Sequence, residues 1–266
     1  MVSQQTINFI TFSMVLSFLF PILLVIIMKV KYKMALKSVL IGALTFFVFA
    51  QILEGTLHSI ILKNSIFENP WVYMLYAGIM AGAFEEVGRF IMIKSFLKKN
   101  HAWKDGVGFG IGHGGLESIL LVGITNITML SYATLINKGN FETLFTNKAI
   151  KDTLMPIQEN LINSSSYLWL LSGIERGLTI FVHIALSLLV LQCIRSGTKK
   201  LLFLAICLHA FLNFPTALYQ KGVITNVFIV EAIIALFALL SIVFIIKYKR
   251  NSKLEVINNI NSSSSV

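Results

Sequence analysis

Long apolar segments dominate this chain and limit what it can fold into. They repeatedly exceed the roughly 18–20 residues that an α-helix needs to cross a bilayer. Inside a bilayer only helices and closed barrels satisfy every backbone hydrogen bond, and continuous apolar segments of this length are helices. The sequence therefore predicts an all-α, polytopic transmembrane helical bundle. Seven helices are expected, at about residues 7–28, 36–62, 70–93, 105–135, 166–194, 200–220 and 224–246.

The composition excludes a soluble globular domain. Of 266 residues, 56% are hydrophobic and only 13% are charged, whereas a soluble domain has about 25% charged residues. Cys193 and Cys207 lie within apolar segments, which favours two buried thiols over a disulfide framework. The first residues lack the basic region of a removable signal peptide, so the first segment is expected to stay in place as an anchored helix.

The basic residues predict the orientation of the bundle. About 15 of them flank alternate connections on one side, against about 5 on the other. Because cytoplasmic loops of membrane proteins are rich in Lys and Arg, we expect the N-terminus outside and the C-terminus in the cytosol. The formal charge of +10 is then a signal of the cytosolic face. It indicates the lipid bilayer as partner and does not require nucleic acid. The cytosolic set is Lys29, Lys31, Lys33, Lys37, Lys94, Lys98, Lys99, Lys104, Arg195, Lys199, Lys200, Lys247, Lys249, Arg250 and Lys253.

The predicted organisation is one transmembrane domain, residues 1–248, in the cell membrane. Its longest connection, 137–165, lies outside and is expected to be an exposed loop, with a lid as the alternative. Residues 249–266 are polar and rich in Asn and Ser, so a disordered cytosolic tail is expected there.

Ionisable residues inside the predicted helices are the clearest functional signal. Such residues are costly in a bilayer and by default mark a functional site. We expect Glu54 and His58 to form a structural pair and the isolated Glu231 to have a packing role. The intramembrane polar set is Glu54, His58, Glu85, Glu86, Arg89, His113, Glu117, Glu175, Arg176, His183, His209, Asn213 and Glu231.

Three of these residues share one predicted depth. Glu86, His113 and His209 each lie eight or nine residues from the lysine at the cytosolic end of their helix. At 1.5 Å per residue this places all three about 12–14 Å from the cytosolic boundary. A carboxylate and two imidazoles from three helices are therefore predicted to form one layer. His183 falls within about one turn of this layer and is a candidate supporting residue.

The spacing within helices adds supporting residues to this layer. Arg89 follows Glu85 by four residues and Glu86 by three, so it can neutralise either carboxylate. We expect a supporting role for Arg89, because an arginine stays charged and pairs with carboxylates. His113 and Glu117 share one helix face in the same way.

Residues 106–115 are unusually rich in glycine. Glycine lets membrane helices approach closely, which favours a tightly packed site here. A phosphate-binding loop is the rival interpretation. It is weak, because no strand precedes the segment and no Gly-Lys-Ser/Thr follows it.

Three short motifs resemble those of a known superfamily. Glu85-Glu86-Val-Gly-Arg89, Phe109-Gly-Ile-Gly-His113 and His209-Ala-Phe-Leu-Asn213 are similar to the motifs of the CAAX-protease and bacteriocin-processing intramembrane proteases. The forms Glu-Glu-x-x-Arg and Gly-Phe-Gly-Ile-Gly-His-Gly-Gly-Leu-Glu most resemble the YhfC family. This resemblance implies peptidase activity in the membrane. The prenyl-protein proteases have one more residue between the glutamates and the arginine, which leaves open whether Glu85 or Glu86 is the catalytic carboxylate.

The chemistry of peptide hydrolysis agrees with this resemblance. The reaction requires an activated water, a proton donor for the leaving amine and stabilisation of the oxyanion. Glu85 or Glu86 is the candidate general base, and His113 could share the water. His209 and Asn213, on one helix face, could polarise the scissile carbonyl. The substrate would be an unidentified membrane protein or peptide.

The sequence is compatible with both a metal-dependent and a metal-free mechanism. His113, His209 and Glu86 could hold Zn²⁺ with an open position, whereas a glutamate mechanism needs no metal. Two other function classes also remain, a proton- or ion-coupled transporter and a non-catalytic membrane scaffold. Chains of His and Glu occur in proton relays, but the inverted repeats and broken helices typical of transporters are not visible in the sequence.

Overall fold

The computed structural model describes the backbone of residues 1–98 and 100–263 and the side chains of residues 1–98 and 100–252. Lys99 and residues 264–266 lie outside the described residues, as does the side chain of Lys253. Within the described part the chain forms α-helices and no strand, which confirms the predicted all-α class. The eight helices are α1 Gln4–Tyr32, α2 Leu36–Ile61, α3 Pro70–Phe96, α4 Trp103–Asn137, α5 Lys148–Asn163, α6 Tyr167–Ser196, α7 Lys200–Gln220 and α8 Val227–Ser263.

Six of the described helices are long and apolar enough to span a membrane, namely α1, α2, α4, α6, α7 and α8. The remaining long helix, α3, has 27 residues, which is about 40 Å of helix. Glu85, Glu86 and Arg89 lower its hydropathy, but α3 packs lengthwise against α7 within the bundle. The chain is thus a multi-pass membrane protein. Seven spans with opposite sides for the two termini stay a prediction.

The connection over residues 137–165 is more ordered than the predicted loop. It contains the 16-residue helix α5. Asn147 caps the start of this helix, because its side chain accepts a hydrogen bond of 2.9 Å from the Ile150 amide. The buried residues Leu154 and Leu161 lie seven positions apart and so share one face. This amphipathic pattern is the physical reason that the segment folds onto the bundle. We name the side of the bundle that carries α5 the α5 face.

The last helix, α8, also differs from the predicted segment. Its described backbone continues to Ser263, well beyond the expected end at residue 246. It therefore includes most of the tail for which the sequence predicts disorder. Lys253, Leu254 and Glu255 are good helix formers, which is consistent with continuation of the helix.

Helix α6 lies at the centre of the bundle. In its most apolar 18-residue window 61% of the residues are buried, against 22–28% for the other five spanning helices. Helices α1, α4, α7 and α8 all contact it. Its polar side chains therefore face protein, as expected for costly ionisable groups in a bilayer.

The glycines of α4 allow two helices to approach it on opposite sides. A Cβ atom at Gly110 would lie 2.4 Å from the Cα atom of Ile184 in α6. A Cβ atom at Gly112 would lie 1.9 Å from the carbonyl oxygen of Val39 in α2. Helix α4 is thus packed closely between α2 and α6. This arrangement favours close helix packing over the phosphate-loop interpretation of the glycines. It also holds His113 at the centre of the bundle.

Two helices contain π-helical segments next to the polar centre. One spans Phe46–Glu54 in α2 and the other spans Ile119–Ile124 in α4. A π segment is rare and occurs frequently at functional sites. The first ends at the buried Glu54, and the second begins two residues after Glu117.

Candidate active site

The two adjacent glutamates of α3 face different partners. Both are buried, with 7% of Glu85 and none of Glu86 exposed. Consecutive residues of a helix point about 100° apart, so the Glu85 carboxylate can face α4 while the Glu86 carboxylate faces α7. The two carboxylates therefore have different neighbours and can have different roles.

Both oxygens of Glu86 have partners. Oε1 lies 2.8 Å from Nδ1 of His209, and Oε2 lies 3.1 Å from Nε of Arg89. Both arginine and glutamate side chains are fully buried. A carboxylate held on both sides in this way is an anchor for its neighbours, since it has no free oxygen to offer a substrate.

Glu85 lies at the centre of the polar group. Its Oε2 atom is 2.7 Å from Nε2 of His113 and 3.9 Å from Nε2 of His209. The aromatic rings of Phe46 and Phe109 lie 5.4 and 6.5 Å from the His113 ring, centre to centre. Glu85 and His113 therefore meet in an environment with apolar walls, where charged groups interact more strongly than in water.

Glu117 and His183 complete the centre on the α6 side. Nε2 of His183 lies 2.6 Å from Oε2 of Glu117, and Nη1 of Arg176 lies 2.5 Å from Oε1 of the same carboxylate. Arg176 also contacts Glu175 through its other terminal nitrogen. Glu117 is thus fixed by a cation on one oxygen and turns the other toward the two imidazoles.

Arg89 determines the hydrogen position on His183. Its Nη1 donates to the His183 carbonyl oxygen at 2.8 Å and to the Ser187 hydroxyl at 2.7 Å. Its Nη2 lies 3.3 Å from Nδ1 of His183. Because a guanidinium only donates, Nδ1 of His183 accepts. The hydrogen of the neutral ring is therefore on Nε2, where it points at Glu117.

Four of these side chains could hold a metal ion. One ligand atom from each of them lies within 4.8 Å of all the others. Two imidazoles and two carboxylates form a set of ligands that suits Zn²⁺. The four residues are Glu85, His113, Glu117 and His183.

The four ligands do not fit a metal equally well. Nδ1 of His113 is buried without a hydrogen-bond partner, so its hydrogen can reside there and free Nε2 for a cation. The carboxylates Glu85 and Glu117 each have an oxygen facing the centre. By contrast, freeing Nε2 of His183 would turn an Nδ1–H toward the donor Arg89. The donor set therefore fits a metal best with three ligands, and three protein ligands with an open position are typical of catalytic zinc.

The structure gathers most of the predicted site, with a different grouping. Glu85, Glu86, His113 and His209 come together as the common depth suggests. The proposed metal trio of His113, His209 and Glu86 needs correction, because Arg89 and His209 already contact both Glu86 oxygens. Only His113 belongs to both sets.

Asn213 has a different local role from the predicted one. Its side-chain nitrogen donates to the carbonyl oxygen of His209 at 3.3 Å. It therefore supports the turn of α7 that carries His209, and its predicted role at an oxyanion stays a prediction. The Glu54–His58 pair is present, with Oε1 and Nε2 at 3.5 Å.

Sequence reasoning missed the connection from Glu117 to Arg176 and placed Glu117 and His183 only as supporting residues. A signal existed for His183, which is close in depth to the other histidines. None existed for the Arg176–Glu117 contact, because the two residues are 59 positions apart on different helices.

The fold and the site define a multi-pass membrane protein with a buried Glu/His centre. The model of the YhfC intramembrane metalloprotease family matches residues 16–234. The chain is also 47% identical over 255 residues to the uncharacterized membrane protein YhfC of Bacillus subtilis (strain 168), covering 94% of this chain and 99% of that relative. No solved structure matches the chain. The protein therefore belongs to the YhfC intramembrane metalloprotease family.

Proposed function

We propose that this protein is an intramembrane endopeptidase that hydrolyses membrane proteins or peptides with Glu85 as its reactive carboxylate. The observation that carries the proposal is the difference between the two adjacent glutamates. Glu86 is anchored on both oxygens by Arg89 and His209, whereas Glu85 faces His113 and His209. A general base needs an oxygen within hydrogen-bond reach of the reacting water.

A metal held by Glu85, His113 and Glu117 fits the donor set. Oε2 of Glu85, which faces His113, would be the ligand atom, and Oε1 would then remain for the reacting water. When bound, a cation such as Zn²⁺ supplies a Lewis acid that polarises the scissile carbonyl and favours loss of a proton from water. Arg176 keeps one Glu117 oxygen in place, and the apolar rings beside His113 limit access of bulk water. The CAAX superfamily placement belongs to this proposal as well.

Two histidines are positioned for proton transfer. His209 contacts Glu86 through Nδ1, which leaves Nε2 directed at Glu85, and a ring held in this way can carry a proton from the water to the leaving amine. His183 keeps its hydrogen on Nε2, where it donates toward Glu117. The predicted site in the cytosolic half of the bilayer depends on the predicted orientation of the termini.

Substrate trapping with Glu85→Gln tests this proposal. Membranes of cells that produce this variant should accumulate intact proteins that wild-type membranes contain as fragments. A protein found in this way should then be cleaved by the purified wild-type enzyme in detergent. Cleavage should fall by at least about 10²–10³-fold in Glu85→Gln, the range for loss of a group that stabilises the transition state.

A matched variant and a chelator complete the experiment. Glu159→Gln, on the exposed surface of α5, should keep wild-type cleavage. Inhibition by a chelator, reversed by Zn²⁺, would support a metal, and chelator-resistant cleavage would favour the metal-free glutamate mechanism. Unchanged cleavage by Glu85→Gln would contradict the proposal. Ion-dependent uptake by proteoliposomes without proteolysis would favour the transporter class instead.

A further inference from the structure

A second polar region lies between the centre and the α5 face. It is a cavity of about 340 Å³ lined by residues of α4, α5, α6, α7 and α8. Its polar lining includes Asn126, Asn160, Ser172, Glu175 and Glu231. We name it the α5-side cavity. Small-molecule sites have volumes from about 300 Å³ upward and a few well-placed polar groups.

The acidic side chains around this cavity outnumber the basic ones. Glu231 forms no hydrogen bond or ion pair with any described residue, although it lies within electrostatic range of Glu175 and Arg176. Arg176 already contacts both Glu175 and Glu117. A single guanidinium, that of Arg176, is thus shared by the carboxylates of Glu117, Glu175 and Glu231. Lys221, at the same end of the bundle, lies over the ring of Tyr73 at 4.5 Å.

An unpartnered acceptor also faces the cavity. Asn126 is only 3% exposed, and among the described residues its carboxamide makes a single contact, from Nδ2 to the Ile10 carbonyl at 3.5 Å. Its Oδ1 atom, a hydrogen-bond acceptor in the cavity wall, has no partner there. Buried polar groups are normally hydrogen-bonded, so this acceptor favours an occupant that donates a hydrogen bond.

The cavity connects to the centre through one chain of contacts. Glu175 in its wall contacts Arg176, which holds Oε1 of Glu117 at 2.5 Å. Glu117 in turn contacts His183. A charge placed beside Glu175 would therefore act on the carboxylate that faces the proposed metal.

We infer that the α5-side cavity binds an organic cationic group, the ammonium or guanidinium of a peptide, through Glu231, Glu175 and the Asn126 carbonyl. This inference rests on the proposed function for its biological meaning: the enzyme selects substrates with a basic residue on the α5 side of the cleaved bond. The binding itself is independent of proteolysis. Two carboxylates and an amide oxygen are acceptors only, which suits an ammonium or guanidinium, both of which only donate.

Thiol labelling measures this preference without any substrate. Cys193 and Cys207 are first replaced by Ala, and Ser172→Cys then reports on the cavity, while Thr143→Cys reports on the exposed α5-side connection. The ratio of labelling rates for a cationic over an anionic methanethiosulfonate reagent should be about tenfold higher at Ser172→Cys, since lined clefts concentrate counter-ions by 10-fold or more. Equal ratios at the two positions would overturn the inference.

Variants and competition assign the acceptors and the kind of cation. Glu231→Gln should lower the ratio at Ser172→Cys severalfold, and Glu231→Lys should invert it, while the exposed Glu159→Gln should leave it unchanged. Lysinamide should protect Ser172→Cys from a neutral thiol reagent at least twofold better than NaCl of equal ionic strength. A ratio insensitive to Glu231, or equal protection by NaCl, would overturn the assignment of an organic cation. Cation-selective labelling in a protein that cleaves nothing would leave this inference standing and reject the proposed function.

Discussion

Nε of Arg89 lies 3.1 Å from Oε2 of Glu86, and neither side chain has any exposed surface. The same guanidinium donates to the backbone of α6, so one arginine ties α3 to the central helix. Removal of one member of a buried ion pair leaves an uncompensated charge. We therefore expect this relationship to govern stability as well as the position of the proposed catalytic groups.

Arg89→Met should destabilise the protein strongly. It leaves Glu86 without its cation and the His183 carbonyl without a donor, and breaking a buried pair typically costs about 3–5 kcal/mol. Thermal unfolding in one detergent should show a clear decrease in Tm relative to wild type. Lys94→Met, near the exposed end of the same helix, is the matched control and should unfold close to wild type. Equal Tm values for the two variants would show that the Arg89 contacts contribute little.

The metal content should follow the proposed three ligands. Purified protein loaded with Zn²⁺ and dialysed should retain about one zinc per chain. His113→Ala and Glu117→Gln should lose most of it, because each removes a proposed ligand. His183→Gln should keep its zinc, since Arg89 faces the other nitrogen of that ring. Elemental analysis of folded protein measures this result, and zinc loss in His183→Gln would instead make His183 a ligand.

Gly112→Ala should be poorly tolerated. The added methyl group would meet the Val39 carbonyl oxygen at 1.9 Å, and the relief of such overpacking costs about 1–3 kcal/mol or more. Gly177→Ala offers a matched control, because its nearest neighbour would be Phe20 at 3.9 Å and alanine favours a helix. Unfolding in detergent should separate the two variants. If Gly112→Ala were as stable as Gly177→Ala, the close approach of α2 and α4 would be in doubt.

The orientation of the termini has its own test. Reporter fusions should place the N-terminus and the α5 face outside, and the segment after Lys247 in the cytosol. The expectation follows from the uneven distribution of Lys and Arg together with α3 as a seventh span. A reporter after Lys247 that is found outside would mean an even number of spans. Glu86, His113 and His209 would then no longer be expected at one distance from the cytosolic surface.

The sequence predicts the seven long helices well, because a bilayer allows little other than long apolar helices, but it predicts a loop where the shorter amphipathic helix α5 lies. The ends of the seven predicted helices agree with the observed ones within about four residues, except at the end of α8. The common depth of Glu86, His113 and His209 also brings the correct helices together. The depth of a side chain in the membrane can be predicted from the sequence, because it depends only on the rise per residue of the helix.

The contacts between individual side chains could not be predicted from the sequence in this way, because they depend on how each helix is rotated about its axis. Glu85 and Glu86 differ by about 100° in direction, and only the packing of α3 against its neighbours decides which one faces His113. The pairing of Arg176 with Glu117 also depends on the rotation of two helices. A structural role for Glu54 and His58 could be inferred, because residues four apart share a helix face.

The π segment Ile119–Ile124 has a consequence for the angular phase of α4. In a regular α-helix the nine residues from Glu117 to Asn126 turn about 900°, which would put the two side chains on opposite sides. One extra residue in the turn takes back about 100° and leaves them about 80° apart. The bulge therefore lets a single helix present Glu117 to the proposed metal ligands and Asn126 to the α5-side cavity. If the same number of residues formed a regular α-helix here, Asn126 would point away from the cavity while His113 kept its place.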